Sequence, residues 1–270
     1  MSTGGPANDP TRKQRREVAR EQRRALEQAA HAQAVRRTRM LRLGGALGLA
    51  VVVVIVAIVV SSSGGSKAKG IATGDKAATT VAAVTSLLKG IPQSANVLGT
   101  ASAPVTLKYY GDLECPICQE FTLDTLPTLI GSYVRTGKMK IEYLPLETAT
   151  PDPETFQTQQ VAALAAGQQK REWNYVELFY HEQGAEDTGY VTENYLQGLA
   201  KQVPGLKLAS WLSARGSSKL INTISNQASA AQSAGLNSTP TLIFTGPKGT
   251  KQVAQLITPS QATQLIDAVS

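Results

Sequence analysis

The sequence predicts an α/β domain carrying an inserted helical subdomain and preceded by a single transmembrane helix. Three observations carry this expectation. An uncharged apolar run, Leu43–Val60, separates a basic leading segment from the rest of the chain. Strand-like stretches occur at Val105–Tyr110 and Lys138–Leu146, then again at Thr241–Phe244 and Lys251–Leu256. Between Leu146 and Thr241 lie 94 residues with almost no strand signal. A crossover between strands needs only about a dozen residues, so this interval reads as an insertion of helices at about 151–235.

Charge divides the chain before any motif does. Residues 1–42 hold eleven Lys/Arg against four Asp/Glu, and residues 43–270 balance at sixteen of each. The basic character therefore belongs to the leading segment, and the main domain has no charge footprint for nucleic acid. That segment, rich in Arg, Gln, Glu and Ala, reads as a solvated, partly helical cytoplasmic tail. The run 43–60 would rise about 27 Å as a helix, enough to cross a hydrocarbon core. Arg36, Arg37, Arg39 and Arg42 flank its N-terminal side. The positive-inside rule then places the N-terminus in the cytoplasm and the main domain outside. The long basic lead and the length of the run favour an uncleaved signal-anchor over a cleaved signal peptide.

Residues 61–95 open with SSSGGSKAKG and read as a flexible linker, in which Thr80–Leu88 has the makings of a short helix. The domain proper is expected over 96–270. Val105–Tyr110 is a strand, and Cys115–Tyr133 a helix that Pro127 should distort. Lys138–Leu146 alternates as a second strand. Phe156–Ala166, Trp173–His181, Tyr195–Val203 and Leu208–Ala234 read as helices, with Trp173, Tyr175, Phe179 and Tyr180 as insert core. Thr245–Gly249 turns the late strand back on itself, and Pro259 opens a closing helix with Ala262, Leu265, Ile266 and Val269 on one face.

Both cysteines of the chain fall in Cys115-Pro116-Ile117-Cys118. No cysteine is left to staple distant segments, so whatever the pair does is local. Cys115 follows a strand and a Gly111-Asp112 turn and takes the N-cap position, with Pro116 at the first helical position. Free backbone N–H groups and the positive helix end favour a thiolate at Cys115. Cys118 lies one turn on, within disulfide reach and more buried. Such a couple exchanges disulfides in either direction. Zinc would need two further ligands, and only His31 and His181 exist. An inert disulfide closing so short a loop would stabilise little. No metal and no cofactor beyond the Cys115–Cys118 couple is expected. His181, near a helix end, reads as structural.

From about Ile91 to Ser270 the chain resembles the DsbA-like branch of the thioredoxin superfamily. The resemblance rests on VLGTASAPVTLKYYGDLECPICQEF, the long helical insert, and Ser238-Thr239-Pro240-Thr241 before the late strand. It implies a thioredoxin-like fold and a cis Thr239–Pro240 bond packed against the cysteines. Pro116, Ile117 and Pro240 would then support the catalytic pair, and Thr239 would touch the bound peptide. It also implies a dithiol oxidase of exported proteins, working with an integral-membrane redox partner. A membrane-anchored reductase or isomerase using the same cysteines is the alternative, and a module acting through its cytoplasmic tail a third.

Two departures bear on redox direction. Ile117 stands where strongly oxidising members carry His, and offers no charge or hydrogen bond to a thiolate. Tyr109 stands where many relatives have a buried acid. Asp112 reads as an exposed turn aspartate, and Glu114 as a neighbouring negative charge that opposes thiolate formation.

Overall fold

The computed structural model describes residues 70–270. The expected tail at 1–42 and membrane span at 43–60 lie outside the described residues. Among those described, no helix is long and apolar enough to cross a membrane.

The sheet has six strands: β1 (Gln93–Ser94), β2 (Val97–Leu98), β3 (Val105–Gly111), β4 (Met139–Pro145), β5 (Thr241–Gly246) and β6 (Gly249–Val253). Their order is β1-β2-β4-β3-β5-β6. β3 lies at the centre, parallel to β4 and antiparallel to β5, with Leu107 opposite Ile141 on one side and Phe244 on the other. Its alternation explains the placement. Val105, Leu107 and Tyr109 are buried, whereas Lys108 is exposed.

The flexible linker expected over 61–95 is corrected from residue 74 onward, where the short helix expected at Thr80–Leu88 is present and begins six residues earlier. Gly74–Leu88 forms helix α1, which buries Val84 and Leu88, and β1 follows at Gln93. Arg135 fastens its end by donating to the carbonyls of Leu87 and Lys89 at 2.7 and 2.6 Å. The folded domain therefore starts well before residue 96. Only two side chains of α1 are fully buried, which is why its sequence looked like tether.

Helix α2 (Pro116–Glu120) continues without interruption through a π-type stretch, Phe121–Thr125, into α3 (Leu126–Leu129) and a second π-type stretch, Ile130–Val134. The distortion expected at Pro127 takes this form. Leu126 N–H donates to the Phe121 carbonyl, five residues back, in the turn just before the proline. A widened turn is one of the few ways a helix absorbs a proline.

Five helices fill the interval between β4 and β5: α4 (Pro153–Gly167), α5 (Glu172–His181), α6 (Glu193–Gln202), α7 (Leu208–Arg215) and α8 (Ser218–Ser233). Asp152 caps α4 by accepting from Thr155 N–H, with Pro153 at the first turn. The single helix expected over 208–234 is two, divided at Gly216, which closes α7. Trp173, Tyr175, Phe179 and Tyr180 of α5 are all fully buried. The closing helix α9 (Pro259–Val269) begins with a capping box between Thr258 and Gln261 and buries Ala262, Ile266 and Val269.

Candidate active site

The end of β3 and the start of α2 place the two cysteines at the heart of the domain. Cys115 is the N-cap of α2, with extended backbone (φ −71°, ψ 119°) and Pro116 directly inside the helix. Cys118 N–H donates to the Cys115 sulfur at 3.4 Å. The Cys115 thiol reaches the Thr239 carbonyl oxygen at 3.6 Å. Cys115 is 5% exposed and Cys118 is sealed from solvent. Ile117, between them, is 42% exposed, so an apolar side chain stands in solvent beside the more accessible sulfur.

These surroundings push the two thiols apart. The Cys118 thiol, hydrogen-bonded to Cys115, is the largest influence holding Cys115 down to about 6; burial opposes it, and Thr239 and the N–H groups of Cys118 and Ile117 assist. Burial drives Cys118 well above the ordinary thiol range, and its bond to Cys115 adds to this. Cys115 is therefore largely thiolate at neutral pH and Cys118 is protonated.

Pro240 follows Thr239 through a cis peptide bond, in the loop that carries the carbonyl facing Cys115. Pro116, Ile117, Thr239 and Pro240 thus lie at or next to the cysteine pair. Tyr109, in the position where relatives hold an acid, is fully buried beneath α2. Its hydroxyl lies 3.2 Å from the Cys118 carbonyl, 3.1 Å from Thr122 Oγ1 and 3.3 Å from the Tyr180 hydroxyl. Burial holds the Tyr109 and Tyr180 phenols well above their ordinary range, so both are neutral hydrogen-bonding groups.

Two expectations about neighbouring carboxylates are corrected. Asp112 is not an exposed turn residue but fully buried. Its carboxylate accepts from Glu114 N–H at 3.1 Å, from the N–H groups of Thr148, Ala149 and Thr150 at 3.0, 2.9 and 2.9 Å, and from Thr150 Oγ1 at 2.5 Å. Five donors repay the desolvation of this charge. Glu114 is also buried, and burial, followed by the Asp112 charge, raises its carboxyl to about 7. Near neutral pH it is only partly ionised, so it opposes the thiolate less than a full charge would.

Sequence reasoning missed three other contributors. Tyr180, read as plain insert core, donates its hydroxyl to the Asp112 carbonyl at 3.2 Å. Gln183 donates to the carbonyls of Leu113 and Cys115 at 2.7 and 3.1 Å. Thr148 shares a 2.5 Å hydroxyl contact with Thr239. Gly111 carried the one available signal. A Cβ there would fall 2.8 Å from the Tyr143 ring and 3.1 Å from the Tyr180 hydroxyl, so the turn before the cysteines admits only glycine.

A CxxC at a helix start, a low-titrating N-cap sulfur, a fully buried partner and a facing cis-proline loop, set on this α/β fold, define a thiol:disulfide oxidoreductase. A family model described as thioredoxin matches residues 93–268. Disulfide bond formation protein D of Bacillus subtilis is 24% identical over 160 residues, covering 57% of this chain and 68% of that protein. The crystal structure of BdbD from Bacillus subtilis aligns with a TM-score of 0.56 at 19% identity, covering 65% of this chain and 94% of that one. Wolbachia pipientis alpha-DsbA1 aligns with a TM-score of 0.55 at 19% identity, over 67% and 92%. The chain belongs to the thioredoxin family.

Proposed function

We propose that the chain oxidises cysteine pairs of exported proteins to disulfides, outside the cytoplasm, through the Cys115/Cys118 couple. The observation that carries this is the asymmetry of the two thiols, with Cys115 held down to about 6 while Cys118 is pushed up. With the couple oxidised, a substrate thiolate attacks Cys115, the Cys115–Cys118 bond breaks, and Cys118 leaves and takes up a proton. A second substrate thiolate then attacks the substrate sulfur of the mixed disulfide, and Cys115 departs as a thiolate. Two electrons have passed to the couple and the substrate holds a new disulfide. A stable Cys115 thiolate is a good leaving group and makes the couple more oxidising.

Thr239 and exposed Ile117 are the candidate substrate contacts, and Pro116 and Pro240 shape the site. Regeneration needs an oxidant, for which an integral-membrane redox partner is the candidate. The basic flank and apolar run 43–60 support single-pass anchoring with the N-terminus in the cytoplasm. The alternative, a membrane-anchored reductase or isomerase, draws on Ile117, which stabilises no thiolate through its side chain.

The test is the reduction potential of the full-length chain, equilibrated against glutathione buffers. A value near or above about −150 mV supports the oxidase. A value near about −270 mV overturns it in favour of the reductase.

A further inference from the structure

A cavity of about 390 Å³ opens where the end of α1, strand β1 and the turn from α4 to α5 meet. Lys89, Lys170 and Arg171 line it, and no acidic side chain does. None of these cations has an ion-pair partner among the described residues, where the pair formed is Arg215–Glu193. Carbonyls that would repel a negative group are engaged: Arg135 holds those of Leu87 and Lys89, and Arg171 holds those of Lys170 and Pro204. Asn174 lines the same cavity, is only 7% exposed, and supplies a further donor. Its neighbours fix its orientation. Trp173 N–H donates to Gln93 Oε1 at 3.2 Å, so Gln93 turns its Nε2 to Asn174 Oδ1 at 2.9 Å. Asn174 Nδ2 is left without a partner among the described residues, at a depth where an unmade hydrogen bond is costly. Leu88, Ile91 and Pro92 give the cavity an apolar side.

We propose that this cavity binds a small soluble organic oxyanion, a phosphate ester or a carboxylate. Its charged end meets Asn174 Nδ2 and the three cations, and its body lies on Leu88, Ile91 and Pro92. Hydrogen bonds from cations to an oxyanion are roughly twice as strong as neutral ones, and the volume is of the size that holds such a solute. A cationic ligand would meet three like charges and no carboxylate. Glu172, next along the chain, is buried and mostly uncharged near neutral pH, so it does not cancel the cations. The site is separate from the redox centre. Asn174 lies in the first turn of α5, whereas Tyr180, which meets the Asp112 carbonyl, lies at the other end of that helix. The assignment therefore stands whichever way the cysteine couple runs.

The experiment titrates the full-length chain, in micelles of a neutral detergent, with phenyl phosphate by calorimetry, and with phenol as the uncharged control. Phenyl phosphate should bind saturably and phenol should not. Asn174→Asp keeps the shape and the acceptor for Gln93 but places an oxygen where the free donor stood. It should weaken phenyl phosphate by about tenfold or more. Lys170→Gly removes one cation at a residue with φ +58°, a conformation that glycine takes freely, and should weaken it by about threefold. Should Asn174→Asp fail to fold, Lys170→Gly and Lys89→Ala, both at exposed positions, decide alone. The basic leading segment is identical in every variant, so a difference between them belongs to the cavity. Exchange with oxidised glutathione should be the same in all of them, which keeps a failure here apart from a failure of the thiol-exchange reading. Absence of saturable binding, phenol bound as tightly as phenyl phosphate, or variants that bind as the wild type does would each overturn the site.

Discussion

The redox turn and helix α5 both bury ionisable groups, and they treat them in opposite ways. At Cys115 the sulfur is nearly sealed from solvent, yet donors surround it and the thiol is held down to about 6. On α5, Glu172 and Glu177 are as deeply buried, and each has a carboxylate oxygen without a hydrogen-bond partner. Burial alone pushes both up to about 8, so near neutral pH they are mostly carboxylic acids. Asp112 marks the other extreme, a buried charge with five donors. Burial by itself neutralises; aimed N–H and O–H groups are what turn a buried site into one that stores negative charge. The fold spends its donors at the thiol loop and leaves the insert core to its own desolvation.

The most severe way to break this contrast is to remove the sulfur that benefits from it. Cys115→Ser should abolish exchange with oxidised glutathione altogether, measured as the rate of mixed-disulfide formation. Cys118→Ser should instead leave Cys115 reactive and accumulate a stable mixed disulfide, visible by mass spectrometry. Survival of full turnover in either variant would mean that the couple is not the reaction centre.

A smaller change sharpens the contrast. Ile117→His places a donor and partial positive charge beside Cys115. It should lower the Cys115 midpoint by about one unit and shift the reduction potential upward by tens of millivolts. An unchanged alkylation profile would show that position 117 does not face the sulfur.

The smallest expected effect lies in the insert. Glu172 and Glu177 titrate higher when folded than when unfolded, so the stability they contribute is fully present below about 4.5. It is progressively lost as pH rises toward about 8. Glu172→Gln should therefore raise the midpoint of thermal unfolding at pH 8, on the order of 5 °C, and have little effect at pH 4.5. An equal gain at both pH values would assign the effect to packing instead. Cys115 runs the other way. Its depressed folded value contributes stability to the reduced protein above about 9 that fades as pH falls through about 6.

What the sequence made legible follows the range of the interactions involved. The strand at 105–111, the N-cap cysteine, Pro116 and the Pro259 start of α9 are set within a few residues, and all were readable. The Asp112 cluster was not, because its carboxylate partners at 148–150 lie 36 to 38 residues along the chain. A Gly-Asp pair before a helix reads as an exposed turn unless those donors are known. Tyr180 and Gln183 are further off still, and their polar ends have no local signature. Helix α1 was undervalued for a different reason, since alanine and threonine dominate its faces and only Val84 and Leu88 are fully buried.

The grip of α5 on the thiol loop limits where the insert is free to diverge. Tyr180 and Gln183 hold the carbonyls of Asp112, Leu113 and Cys115, and Gln119 reaches back to the Tyr180 carbonyl at 2.7 Å. Helices α6 and α7 share no hydrogen bond with the cysteine loop among the described residues, and α7 turns Leu212 outward, 40% exposed. Drift in sequence is tolerable there, and a new surface for recognising partners could be acquired on them without retuning the couple. Along α5 the same substitutions would alter the chemistry and the fold together, so the insert is a satellite on its outer side and part of the reaction centre on its inner one.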